Sequence, residues 1–335
     1  MLLLLICVLL VLVCAIWFTG TGTADTTLED IFGALRGGLF RGGELENANQ
    51  KIIWLLRLPR IALAILAGAG LSVAGAALQG ITRNPLVSPF TVGISSAAAF
   101  GASLSIVYGF GLLGGTDIGI VISAFTWALV CAIIVYAISI RVGMTPESII
   151  LTGIATNYLF GAMDSVVKFF ASDYQLAAAV QWLFGSLNGA TWENVFVVSM
   201  FALPCMICIY IFAQPLNIMS SGSDDVSRSL GIVPGFVRMC VGFLSVLLAA
   251  SIISFTGVIG FVGLAGPHIA RMLIGNDHRF LLPFSAITGA LLVLVGDTIG
   301  RIILSPVSVP VGIVVSFLGV PVFLHLILKR RRGVS

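Results

Sequence analysis

The chain has 335 residues, 59% of them hydrophobic and 9% charged, with a mean hydropathy of +1.12 and a formal net charge of +3. A soluble globular domain carries about 25% charged residues, so this chain lacks the polar surface that water requires, and its scattered charge leaves no basic domain for nucleic acid. Repeated apolar runs of helical length define an all-α integral membrane protein, because barrel strands would be shorter and would alternate apolar with polar residues.

The first span is expected over 1–19. It is longer than a signal-peptide core, has no basic flank and is followed by no clear small-residue cleavage site, so it reads as an uncleaved first span, the missing basic flank hinting at a start further upstream. Residues 20–58 are polar and acidic and read as an external loop with a short helix near 26–36. The next spans are 59–82, 91–109, 117–140 and 147–171. In the first of these Gly68, Ser72 and Ala76 recur every four residues and form a small-residue face for a neighbouring helix. A non-spanning segment follows at 172–192, then a span at 193–213. Residues 214–235 are rich in Ser, Gly and Asp and do not span. The last spans are 236–256, 258–274, 280–303 and 307–328, with Gly257 and Gly260 leaving 258–274 short or partly re-entrant. The count is about ten spans.

An even count places both termini on one side, and the tail Lys329, Arg330, Arg331 and Arg332 puts that side in the cytoplasm. Arg83, Arg141, Arg228, Arg238, Arg271 and Arg279 fall on the same side, whereas Arg36, Arg41, Lys51, Arg57, Arg60, Lys168 and Arg301 fall outside. Arg57 and Arg60, at i and i+3, share a helix face and suit bidentate binding of carboxylates. Simple anchoring of a helix end at the interface accounts for them equally well. Ser223 reads as a helix N-cap, with Asp224 and Asp225 in the first turn and Gly231 as the stop.

Catalytic patterns are missing. No P-loop exists, and none of the three lysines (Lys51, Lys168, Lys329) precedes Ser or Thr, so ATP hydrolysis is not expected of this chain. His268, His278 and His325 form no H-E-x-x-H pair, and neither a metal centre nor a cofactor is expected. The six cysteines lie in or beside apolar runs. Cys205 and Cys208 match C-x-x-C, but they sit within a span after Pro204 and read as packing residues rather than a redox pair. Asp164 with Lys168, and Asp297 with Arg301, are spaced for ion pairs. Carboxylates within spans are also what an ion-coupled secondary transporter would use, which is the contrasting class.

Several separated stretches, in order, resemble the FecCD-type permeases of bacterial and archaeal ABC importers for iron–siderophores, haem and vitamin B12. They are LRLPR (56–60), GAGLSVAGAALQGITRNPLVSPFTVGIS (68–95), GSLNGATW (185–192), RSLGI (228–232), GVIGFVGLAGPHIARMLIGNDHR (257–279), GALLVLVGDTIGR (289–301) and PVGIVVSFLGVPVFLHLI (310–327). The resemblance is nearly end to end and weakest over 1–50. It implies the ten-span type II ABC importer permease fold over 1–335, acting as a homodimer in the cell membrane with two ATP-binding cassette ATPase subunits and an extracytoplasmic substrate-binding protein. By the same resemblance Arg57, Arg60 and Arg301 receive acidic residues of the binding protein. Residues 217–235 match the cytoplasmic coupling helices, so Ser223, Asp224, Asp225, Arg228, Ser229, Leu230 and Gly231 would face the ATPase. The external gate falls within 160–190. Asn157, Ser165, Ser172 and Gln181 are expected pathway residues, although helix packing explains them nearly as well. His268, in GPHIAR, is expected to be a structural, hydrogen-bonded histidine. Ser308 stands where many relatives carry a Glu. The implied cargo is a metal chelate, ferric siderophore first, then cobalamin or haem, with a small oxyanion such as molybdate a further option.

Overall fold

The computed structural model describes residues 2–20, 26–40, 45–109, 116–305 and 307–331; of the residues discussed above, Arg41 and Arg332 lie outside them. Helices are the only regular secondary structure among the described residues. In chain order the helices are α1 (Leu2–Gly20), α2 (Leu28–Phe40), α3 (Ala48–Ile52), α4 (Leu58–Thr82), α5 (Ile94–Tyr108), α6 (Asp117–Arg141), α7 (Pro146–Phe169) and α8 (Asp173–Leu183). They continue with α9 (Trp192–Ile211), α10 (Ala213–Ser221), α11 (Asp224–Ser229), α12 (Pro234–Thr256), α13 (Val262–Ile274), α14 (His278–Ile302) and α15 (Val311–Arg331).

Six segments are long and apolar enough to cross a membrane, and four shorter apolar helices accompany them, matching the expected spans in position. A helix of 25 residues, such as α6, is about 37 Å long at 1.5 Å per residue, against a hydrocarbon core of about 30 Å. The 258–274 segment is short, as expected. Its helix starts only at Val262, because Gly257 (φ +66°) and Phe261 (φ +70°) hold left-handed backbone that a continuing helix cannot contain.

Two boundaries differ from expectation. The 20–58 segment holds more helix than the short one expected near 26–36: α2 extends to Phe40, and a helix capped by Asn47 runs through α3 and a wider π turn (Ile53–Arg57) directly into α4. No residue from 48 to 58 breaks a helix, and Pro59 falls in the first turn of α4, where a missing N–H is harmless. The 172–192 segment contains α8, which opens on a capping box between Ser172 and Gln175.

α4 is the centre of the bundle. It packs against α14, α12, α13 and α9, and nearly every residue from Ile61 to Thr82 is buried. Lipid tails are as apolar as leucine, so the hydrophobic effect does not draw helices together in the bilayer; close van der Waals approach does. The expected small-residue face supplies that approach. A methyl group placed on Gly68 would overlap the Gly289 carbonyl of α14, one on Gly266 of α13 would overlap the Ser72 side chain, and one on Gly75 would overlap the Gly263 carbonyl of α13. By contrast, Gly161 on α7 has open space around it.

Gly75→Ala is therefore expected to push α4 and α13 apart, at roughly 1–3 kcal/mol of overpacking. Gly161→Ala should cost nothing. Thermal unfolding of the detergent-solubilised protein checks this: a clear fall in Tm for the first variant only is expected, and equal Tm values would refute the packing account.

Candidate functional site

One end of the bundle brings two of the three predicted arginines onto one acid. Arg60 and Arg301 reach it from α4 and α14, the most extensively packed pair of helices. Arg60 grips Asp297 through Nε (3.0 and 2.9 Å) and Nη2 (2.7 Å), and Arg301 approaches the same carboxylate to 3.3 Å from one turn away. Asp297 is 2% exposed, so the expected Asp297–Arg301 pair exists, but Arg60 holds the bidentate geometry. The remaining Arg60 donor reaches Asn188 (2.6 Å), and Asn188 donates to Ser308 (3.2 Å). Ser308 thus closes a polar chain from α4 through the 184–191 loop to the start of α15. Arg57 is placed differently. It is buried and donates to the Thr19 carbonyl (2.7 Å) and the Thr26 hydroxyl (3.0 Å), fastening the end of α1 to α4. An anchoring role fits that position, and surface docking by Arg57 does not. Arg57 is the last residue of the π turn that leads into α4. Two guanidiniums against one carboxylate leave a surplus of positive charge here, and Arg60 and Arg301 keep 17% and 16% side-chain exposure.

At the opposite end, Ser223 caps α11 as expected, accepting from the Val226 N–H, and Gly231 ends it at φ +82°. The two acids that follow the cap have opposite fates. Asp224 turns inward, its Oδ1 accepting from Arg83 (2.8 Å) and Arg238 (2.7 Å) and its Oδ2 from Arg238 (2.7 Å). Arg238 is 1% exposed and also donates to the carbonyls of Ile81 (3.2 Å) and Met144 (3.1 Å). One guanidinium therefore joins α12, the end of α4, the α6–α7 turn and α11. Hydrogen bonds from Arg238 and the charges of Arg238 and Arg83 hold the Asp224 carboxyl below its ordinary value. Asp225 and Arg228 remain outside as an exposed i,i+3 pair (3.3 Å), and Ser229 and Leu230 are exposed beside them. Sequence reasoning missed Arg83 and Arg238 as partners of Asp224, and Val226 on the exposed face. The only available signal was that both arginines fall at helix ends on the predicted cytoplasmic side. The neighbouring α10 is fixed by Asn217, which donates to Asp277 (2.6 Å) and accepts from the His278 N–H (2.7 Å).

The four expected pathway residues are spread along α7 and α8, and among the described residues none is hydrogen-bonded to another. Asn157 accepts from Ser96 of α5 (2.6 Å), Ser165 is exposed and bonds back to Gly161 (2.8 Å), Ser172 caps α8, and Gln181 is exposed. Asp164 accepts from Lys168 (2.6 Å) and from Ser103 (2.6 Å), which makes it an interhelical tie between α7 and α5. His268 is half-buried on α13. Cys205 is buried within α9, and neither it nor Cys208 is in a disulfide. Among the described residues no group of three or more His, Cys, Asp or Glu is gathered as metal ligands would be.

The described residues form a helical membrane bundle with arginines clustered at one end and short helices at the other. The chain matches the FecCD transport family over residues 3–329 and belongs to it. It is 39% identical over 281 residues to the hemin transport system permease protein HmuU of Yersinia pestis, covering 83% of this chain and 84% of that one. It is 40% identical over 285 residues to the Fe(3+)-citrate import system permease protein YfmE of Bacillus subtilis (84% of each chain). It is 39% identical over 287 residues to the cobalamin import system permease protein BtuC of Halobacterium salinarum (84% and 74%). A solved metal-chelate type ABC transporter in an inward-facing conformation superposes with a TM-score of 0.86 at 30% identity, covering 98% of this chain and 99% of that one. The chain is a membrane-spanning permease subunit of an ABC importer and not an ATPase.

Two outcomes are expected. Asp297→Ala leaves two half-buried guanidiniums unneutralised and should destabilise the protein by about 3–5 kcal/mol, read as a lowered Tm in detergent. Asp224 has a folded-state pKa below its unfolded one, so its clamp stabilises α11 at all pH values above the ordinary carboxylate range and is lost as pH falls through the depressed value. Hydrogen-exchange protection of residues 224–229 should hold from pH 7 to about 5 and fall only below about 4, whereas Asp224→Asn should lower it already at pH 7.

Proposed function

We propose that residues 1–335 form a single permease domain that carries a metal chelate, ferric siderophore first, into the cytoplasm for a binding-protein-dependent ABC importer. The observation that carries this reading is the arginine-rich outer cluster of a FecCD family member. Three of the relatives named above handle haem, iron(3+) citrate or cobalamin, all of them large metal complexes, and this supports a chelate over a small oxyanion such as molybdate. Cobalamin and haem remain the second reading within the same family.

In this mechanism two copies of the chain enclose the pathway, and both termini lie in the cytoplasm. A loaded binding protein sets acidic side chains against Arg60 and Arg301, whose charge exceeds what Asp297 neutralises. Each copy presents the exposed face of α11 (Val226, Arg228, Ser229 and Leu230) to one of two ATPase subunits. Movement of α11 is passed through Asp224 to Arg83 and Arg238, and so to the inner ends of α4 and α12. The 172–192 segment acts as the external gate, and the dimer alternates between outward and inward access. No covalent chemistry is required of this chain.

The test is uptake of radiolabelled ferric siderophore, cobalamin and haem into proteoliposomes holding this chain, its ATPase and its binding protein. ATP-driven uptake of one ligand is expected, with at least a tenfold loss in Arg60→Gln/Arg301→Gln and little change in Arg60→Lys/Arg301→Lys at low salt. Uptake that ignores ATP and the binding protein but follows a proton gradient would overturn the importer in favour of an ion-coupled carrier.

A further inference from the structure

Arg60 divides its donors between two acceptors. Asp297, 2% exposed, takes the Nε and Nη2 edge at 2.7 to 3.0 Å. Nη1 is the exposed edge, and it donates to the Asn188 Oδ1 (2.6 Å). A guanidinium only donates, so the Asn188 amide is fixed with its oxygen toward Arg60 and its nitrogen toward Ser308 (3.2 Å). One exposed side chain thereby ties the 184–191 loop both to α4 and to the segment that leads into α15.

The base and the tip of that loop are held differently. The base is in backbone contact with the end of α12. The Ser186 N–H donates to the Thr256 carbonyl (2.7 Å), a methyl group on Gly185 (φ +66°) would overlap the Val258 carbonyl, and one on Gly257 would overlap the Trp182 carbonyl. The tip has no such support. Gly189 turns at φ +76° with open space where a side chain would sit, and Asn188 beside it is exposed. Among the described residues, Asn188 makes the only hydrogen bonds from this tip to α4 and to the segment before α15.

An acidic side chain arriving at Arg60 finds the Nε and Nη2 edge taken and has to use Nη1. There it meets a neutral amide oxygen, and a carboxylate bonds a guanidinium about twice as strongly as a neutral acceptor does. We propose that Asn188 is a positioning residue that holds the tip of the 184–191 loop on α4 until an acid of the binding protein displaces it from Arg60. This link rests on Arg60 as a docking residue and on 172–192 as the gate, and it joins the two. Such coupling is reciprocal: if docking releases the tip, a tip already released strengthens docking by the same factor.

The test is equilibrium binding of the purified binding protein to this chain, held with its ATPase in lipid nanodiscs. Arg60→Gln should weaken binding roughly tenfold, whereas Asn188→Ala, which leaves Nη1 free, should strengthen it by roughly the same factor. Asn188→Ser, too short to reach Arg60, should repeat the gain. In an Arg60→Gln background, Asn188→Ala should change nothing, because the pair acts as one unit. Without binding protein, hydrogen exchange of residues 187–190 should rise in both Asn188→Ala and Arg60→Gln. Unchanged or weakened docking in both Asn188 variants, a gain that persists without Arg60, or exchange that stays at the wild-type rate would each overturn the link while leaving Arg60 as a docking residue. Binding that ignores Arg60→Gln would instead refute the docking role, and the link with it.

Discussion

Everything in this permease is built around the burial of α4 on all sides. A helix can be enclosed in this way within a bilayer only if its neighbours come within backbone contact, because no hydrophobic force separates protein from lipid tails. The glycines at the α4–α14 and α4–α13 crossings allow that contact, and the two crossings lie within one turn or two of each other along α4. With α4 fixed, α12, α13, α14 and α9 have a common axis to pack on.

The same helix connects the two ends where charge collects. Arg60 lies in its first turn and Arg83 is its C-cap, 23 residues later and about 35 Å away. At one end Asp297 holds Arg60, and at the other Asp224 holds Arg83. A rigid rod whose two tips are both engaged in charge-assisted hydrogen bonds is suited to passing a displacement across the membrane. Such pairs act as fasteners more than as sources of stability, since desolvating two ions offsets much of their attraction, while removing one partner leaves the other stranded. Their value lies in fixing which segments move together.

Charge inside or beside the spans follows one rule throughout. Asp164 with Lys168, Asp297 with Arg60 and Arg301, and Asp224 with Arg83 and Arg238 are each satisfied locally. Asp164 and Asp297, which a proton-coupled carrier would have to load and unload, are thereby engaged with cations of neighbouring turns or helices. This arrangement is consistent with energy supplied from outside the chain.

The sequence by itself determined the membrane class, the positions of the spans, the small-residue face of α4, the caps at Ser223 and Gly231, and the i,i+4 pairs. Each of these is local: periodicity, composition or spacing within one helix is enough to decide it. The tertiary structure alone decided which arginine takes which acid. Arg60 reaches Asp297 across 237 positions, Arg238 reaches Asp224 from another helix, and Arg57 is buried against the Thr19 carbonyl 38 positions away. Asp224 and Asp225 are adjacent and chemically alike, yet one is clamped inside and the other faces out, because a helix turns by 100° per residue and only the packed bundle says which direction is inward.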